Sequence, residues 1–237
     1  MNAIIMAAGL GSRFKEMTKN RPKSLLEING TPNLVRTLRM LHDANINDIY
    51  IVVGYLHEQF EILQNQYPDL KELNLHFLYN DHFSDYNNVY SFACASKYFG
   101  DSFVIDADTV LRDNVFLYHP QKSTYYTILR TIHGVEWCPL TDSNGEVVKM
   151  SVTDDHVPSM SGISYWDKVT AQTILKALPK FSQTSQLLEK KGYWDDIPVA
   201  LLNQISVTTH QVKDTSMYEM DTQENYRTIQ KLLKEQV

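Results

Sequence analysis

The chain has 237 residues, 43% of them hydrophobic and 21% charged, with a formal net charge of −6. That length suits one large α/β domain, and the acidic balance excludes a surface that coats nucleic acid. No run approaches the ~20 apolar residues of a membrane span. The apolar first eight residues lack a basic flank and read as a strand, not a signal peptide. Two cysteines, Cys94 and Cys138, fit a reduced, cytoplasmic protein better than a disulfide scaffold.

In chain order, residues 2–6 form an apolar strand. Residues 33–44 carry Leu34, Leu38 and Leu41 at helical spacing. Residues 48–53 are β-branched and end at Gly54. Residues 57–66 repeat the helical pattern with Phe60 and Leu63, and residues 73–79 alternate as a strand. A helix over 88–98 and a buried strand at 103–105 follow. Strands alternating with helices imply βαβ units, so the expected fold is α/β: a Rossmann-like, mostly parallel sheet flanked by helices. In the second half, strands are expected over 123–131, 146–152, 162–166 and 204–213, with a turn at Asp142–Gly145. Helices are expected over 168–178 and 183–191, broken by Pro179, and over 221–235. The expected organisation is a single domain, with a nucleotide-binding half over 1–118 and a smaller acceptor-binding subregion within 119–237.

Ligands of such sheets sit at the carboxyl ends of the strands. Those ends are Ala7–Arg13, Gly54–Tyr55, Asn80–Asp81 and Asp106–Asp108, which together form the candidate site. Ala7, Ala8, Gly9, Leu10, Gly11, Ser12 and Arg13 make a small-residue turn whose N–H groups can cradle phosphate. Arg13 adds a planar fork, and Lys23, set just after Pro22, adds a point charge. Neither a third dinucleotide-fingerprint glycine nor a GxxxxGK[ST] loop is present. The arrangement suits a nucleoside triphosphate.

Asp106 and Asp108 stand one residue apart at a strand end, so both can point the same way. Two carboxylates so close invite a hard divalent ion such as Mg²⁺, although a turn or helix cap would also use them. Asn80 and the run Asp85-Tyr86-Asn87-Asn88 follow another strand end. Their amides could read a base, or they could form an Asx turn and a helix cap. Beyond residue 130, aromatics recur beside acids: Glu136-Trp137, Tyr165-Trp166-Asp167, Tyr193-Trp194-Asp195-Asp196 and Tyr218-Glu219. Aromatic faces with carboxylates nearby suit a quaternary ammonium. The plain alternative is core packing, which fits Trp166 best. A primary amine would favour Asp195 and Asp196.

AAGLGSRF…RPKSLLEING resembles the signature of nucleotidyltransferases that activate phosphorylated small molecules. Val53-Gly54-Tyr55-Leu56, Asp85-Tyr86-Asn87-Asn88, Ser161–Asp167 and Tyr193-Trp194-Asp195 sharpen the likeness. Together they resemble the bacterial CTP:phosphocholine cytidylyltransferases over essentially the whole chain, least around 138–160. The resemblance implies a transfer of cytidylate from CTP to a phosphorylated amino alcohol or aminophosphonate, giving pyrophosphate, with no nucleic acid and no membrane involved. It implies Arg13, Lys23 and Asp108 as catalytic residues, and Mg²⁺ on Asp108 and Asp221, with Asp106 the weaker candidate. It further implies nucleotide contacts from the loop, Lys23, Gly54, Asn80 and Asn87, and acceptor contacts from Lys23, Trp137, Tyr193, Trp194 and Asp195. Read from the residues alone, Asp221 also suits the N-cap of the last helix. A sugar 1-phosphate acceptor or a silent nucleotide sensor are the rival functions.

Overall fold

The computed structural model describes residues 1–130 and 134–234. The first strand, β1 (Asn2–Met6), leads through the glycine turn to a 3₁₀ stretch at Ser12–Thr18 and a small hairpin, β2 (Glu27–Ile28) and β3 (Thr31–Pro32). Helix α1 (Asn33–Asp43) and strand β4 (Asp48–Val53) follow, then two short helices, α2 (Glu58–Glu61) and α3 (Leu63–Gln66), and strand β5 (Asn74–Tyr79). Next come α4 (Asn88–Ala95), β6 (Ser102–Asp106), β7 (Thr109–Leu111) and β8 (Thr124–Ile128). The second half continues with β9 (Glu136–Thr141), β10 (Val147–Thr153), β11 (Ser159–Trp166), α5 (Lys168–Phe181), α6 (Thr184–Leu187) and α7 (Asp196–Ala200). It closes with β12 (Thr208–Val212), β13 (Met217–Glu219) and α8 (Gln223–Lys234).

Seven strands form one sheet in the order β12-β8-β11-β6-β1-β4-β5. All neighbouring pairs are parallel except those of β11, which runs antiparallel to β6 and β8. The sheet therefore crosses both halves of the chain. Met6 is level with Val52 on one side and Asp106 on the other, so the carboxyl ends of the central strands share one edge. Both faces of β1 are covered, because alternate residues enter opposite cores. Ala3 and Ile5 pack with Leu34, Leu38 and Leu41 of α1. Ile4 and Met6 pack with Phe92 of α4 and with Trp166 and Trp194. Phe14, Val110, Met220 and Ile229 make a third cluster that seats α8.

Three expectations are corrected. The helical pattern over 57–66 is two single turns parted at Ile62. Pro179 lies inside α5, whose last turn still closes from Ser182 N–H to the Leu178 carbonyl at 3.0 Å. Its fixed φ is helical, and the buried Ile174, Ala177 and Leu178 hold that turn despite the missing donor. The helix expected over 183–191 shrinks to α6. Of the segments expected over 123–131 and 221–235, residues 131 and 235 lie outside the described residues.

Candidate active site

The carboxyl edge of the sheet opens on a cavity of about 500 Å³, a size suited to a small-molecule ligand. Its floor is the glycine turn. Gly11 has φ +60°, and a Cβ there would lie 3.1 Å from the side chains of both Lys23 and Thr18, so only glycine suits the position. Thr18 Oγ1 donates to the Gly11 carbonyl at 3.0 Å and closes the turn. Pro22 holds an extended φ of −55° and ψ of 144°, and hands Lys23 to a 3₁₀ turn beneath the cavity. Ala7, Ala8, Gly9, Gly11, Ser12, Arg13 and Lys23 all line it.

Charge concentrates at one corner. Lys23 Nζ lies 2.8 Å from Asp108 Oδ2 and 3.4 Å from Asp221 Oδ1, and Arg13 reaches the same Asp221 oxygen at 2.9 Å. The Lys23 ammonium also sits 5.4 Å from the centre of the buried Phe14 ring. Asp108, Glu219 and Asp221 each present a carboxylate oxygen within 4.8 Å of the others. Strand pairing makes that group: β13 lies antiparallel to β7, Glu219 faces Thr109, and Met220 N–H donates to the Asp108 carbonyl at 3.0 Å. Arg130 holds Glu219 at 3.0 Å and Glu136 at 3.4 Å. The acids still outnumber their cations. Burial, then Asp108, holds the Glu219 carboxyl well above the ordinary range. Burial, then Asp108 and Asp195, raises Asp106. Three hard oxygen donors with surplus negative charge fit a divalent ion such as Mg²⁺. Asp106 stands beside this group rather than in it.

A second part of the lining carries Tyr193 and Asp195. Tyr193 is 51% exposed and lines the cavity, and its ring meets the Trp137 ring edge-on at 6.2 Å. Asp195 precedes α7 without capping it, and its Oδ1 is buried with no hydrogen-bond partner. Burial, then Asp196, pushes its carboxyl up to about 8. It therefore stays protonated at neutral pH unless a cation arrives.

A model of the MobA-like NTP transferase domain matches residues 3–123. Choline-phosphate cytidylyltransferase of Haemophilus influenzae is 45% identical, over 97% of this chain and 96% of its own. The structure of CTP:phosphocholine cytidylyltransferase from Streptococcus pneumoniae superposes with a TM-score of 0.88, at 34% identity and 98% coverage of both chains. The chain belongs to the choline-phosphate cytidylyltransferase family. The 2-aminoethylphosphonate cytidylyltransferase of Lancefieldella rimae is 30% identical over 93% of this chain and 88% of its own.

Within this fold several expected residues take other places. Trp194 is 2% exposed and stacks on Phe92 at 4.8 Å, inside the core rather than on the main cavity wall. Trp137 approaches the cavity only through Tyr193. Gly54 lies behind the loop, where a Cβ would stand 2.5 Å from Phe83 and 2.9 Å from the Ala8 carbonyl. Asn80 lines the cavity, but its amide is committed: Nδ2 donates to Ser91 and Oδ1 accepts from His82 N–H. Asn87 caps α4 through Val89 N–H. Asp221 does not cap α8. Thr222 does so, exchanging hydrogen bonds with Asn225, which leaves Asp221 to face the cations. Sequence reasoning missed Glu219, although its spacing of two from Asp221 on an extended segment was a usable signal. Arg130, Phe83 and Ser91 stood in no motif, whereas Tyr86 was marked only as part of the run Asp85-Tyr86-Asn87-Asn88.

Proposed function

We infer that the chain transfers a cytidylyl group from CTP to phosphocholine, releasing pyrophosphate. Full-length likeness to choline-phosphate cytidylyltransferases carries this reading. The Tyr193 and Asp195 wall, with Trp137 behind Tyr193, supports it, since it offers an aromatic face and an unpartnered acid to a quaternary ammonium. An acceptor phosphate oxygen attacks the α-phosphorus as the bond to the bridging oxygen of pyrophosphate breaks. That oxygen is already anionic, so the step needs no general base. Lys23 holds the α-phosphate beside the acceptor phosphate. Arg13 steadies the departing pyrophosphate, and the turn N–H groups orient the chain of phosphates. Asp108, Glu219 and Asp221 would hold Mg²⁺, which supplies Lewis-acid charge neutralisation when bound. Phe83 and Tyr86 offer apolar faces on the nucleotide side.

A primary-amine acceptor is the second reading. The unpaired Asp195 oxygen favours it, because an ammonium with N–H groups could donate to it. Pyrophosphate release from CTP with phosphocholine, phosphoethanolamine, 2-aminoethylphosphonate and glucose 1-phosphate, offered separately, tests both. Preference for phosphocholine is expected. Preference for a primary amine would move the weight from Tyr193 to Asp195, and turnover with glucose 1-phosphate alone would reject the acceptor wall.

A further inference from the structure

We propose that Asn87 and Asn88 are positioning residues for the acceptor wall, clipping residues 186–194 onto the start of α4; this rests on the acceptor reading above. Asn87 uses its main chain and both ends of its amide. Its N–H donates to the Leu187 carbonyl at 2.8 Å, and its Nδ2 donates to the carbonyls of Gln186 and Glu189 at 2.8 and 3.0 Å. Those carbonyls lie at and just beyond the end of α6, and those of Gln186 and Glu189 also accept from the N–H groups of Glu189 and Gly192. Its Oδ1 is already taken by Val89 N–H. Asn88 Oδ1 then accepts from Trp194 N–H at 2.7 Å. One turn along α4, Phe92 receives the Trp194 ring.

The fit is close enough to exclude a side chain. A Cβ on Gly192 would stand 2.1 Å from Asn87 Nδ2 and 2.8 Å from its Cγ, an amide tethered by three hydrogen bonds. Trp194 is thus anchored by its backbone to Asn88 and by its ring to Phe92. Its neighbours Tyr193 and Asp195 both face the cavity. The clip joins residues about a hundred apart in sequence, and it sets where the acceptor wall stands against the nucleotide half. The Asn87 amide, occupied in this way, is unavailable to read a base, and Asn88 commits its Oδ1 to the backbone of the acceptor wall.

Initial rates with CTP and phosphocholine varied in turn test the clip, using Asn88→Leu, Asn88→Asp and Gly192→Ala. Asn88→Leu strands the Trp194 N–H, and Asn88→Asp keeps the accepting oxygen. Asn88→Leu and Gly192→Ala are expected to raise the acceptor KM about tenfold, the scale of one lost buried hydrogen bond, with the CTP KM within about twofold. Asn88→Asp should stay near wild type. An unchanged acceptor KM in Gly192→Ala, or a CTP KM that rises as much as the acceptor KM, would overturn the clip. If Asn88→Leu does not fold, Gly192→Ala decides alone. If wild type prefers another acceptor, the same split is read with that acceptor, so a wrong acceptor and a wrong clip give different results.

Discussion

The two walls of the cavity are built by different means. The proposed phosphate side is almost one continuous stretch, residues 7–23, which brings the glycine turn, Arg13 and Lys23 to the cavity. The proposed acceptor side is assembled from side chains far apart in sequence: Asn87 and Asn88 at the start of α4, Tyr193 and Asp195 before α7, and Trp137 of β9 behind Tyr193. One wall offers N–H groups and two cations set against the carboxylate trio, the other an aromatic face and the unpartnered Asp195. A site written in a local turn survives changes elsewhere. A site held by long-range contacts can be detuned without touching the chemistry.

That contrast sets the expected effects. Lys23→Ala should break the phosphate side outright, lowering kcat about 10²–10³-fold while CTP-free thermal stability stays close to wild type. A substantially active Lys23→Ala enzyme would remove Lys23 from the chemistry. On the other side, Trp194→Ala should act through the fold, costing about 3–5 kcal/mol of stability. At this chain length that is a fall in Tm on the order of 10 °C. Unchanged Tm with a raised acceptor KM would return Trp194 to the acceptor wall. Tyr193→Ala should raise the acceptor KM about 3–30-fold with stability and CTP KM unchanged, the span of one cation–π contact.

The smallest effect is a pH slope. Asp195 titrates near 8, and a bound cation favours its ionised form, so acceptor binding at pH 7 should release a proton. The acceptor kcat/KM should therefore rise with pH until about 8 and level off. Asp195→Asn should flatten that part of the profile. The same slope in Asp195→Asn would assign it to another group.

What was legible follows from the same distinction. The sheet strands 2–6, 48–53 and 73–79 carry their own periodicity, and the glycine turn with Lys23 carries its own chemistry. Asp108 was visible because a buried strand ends at its side. Glu219 meets Asp108 only through the pairing of β13 with β7 across a hundred residues, so its spacing of two from Asp221 was the one local mark of its role. Trp194 and Tyr193 are adjacent and look alike in sequence. Only the Phe92 stack and the Asn88 hydrogen bond turn one inward and leave the other facing the cavity. Asp221 was ambiguous until Thr222 took the cap.

The β7–β13 pairing also orders events in time. Asp108 is synthesised more than a hundred residues before Glu219 and Asp221. A growing chain therefore owns its phosphate loop and most strands of its sheet well before it owns a complete carboxylate trio. The trio is thus the last part of the cavity to find its residues.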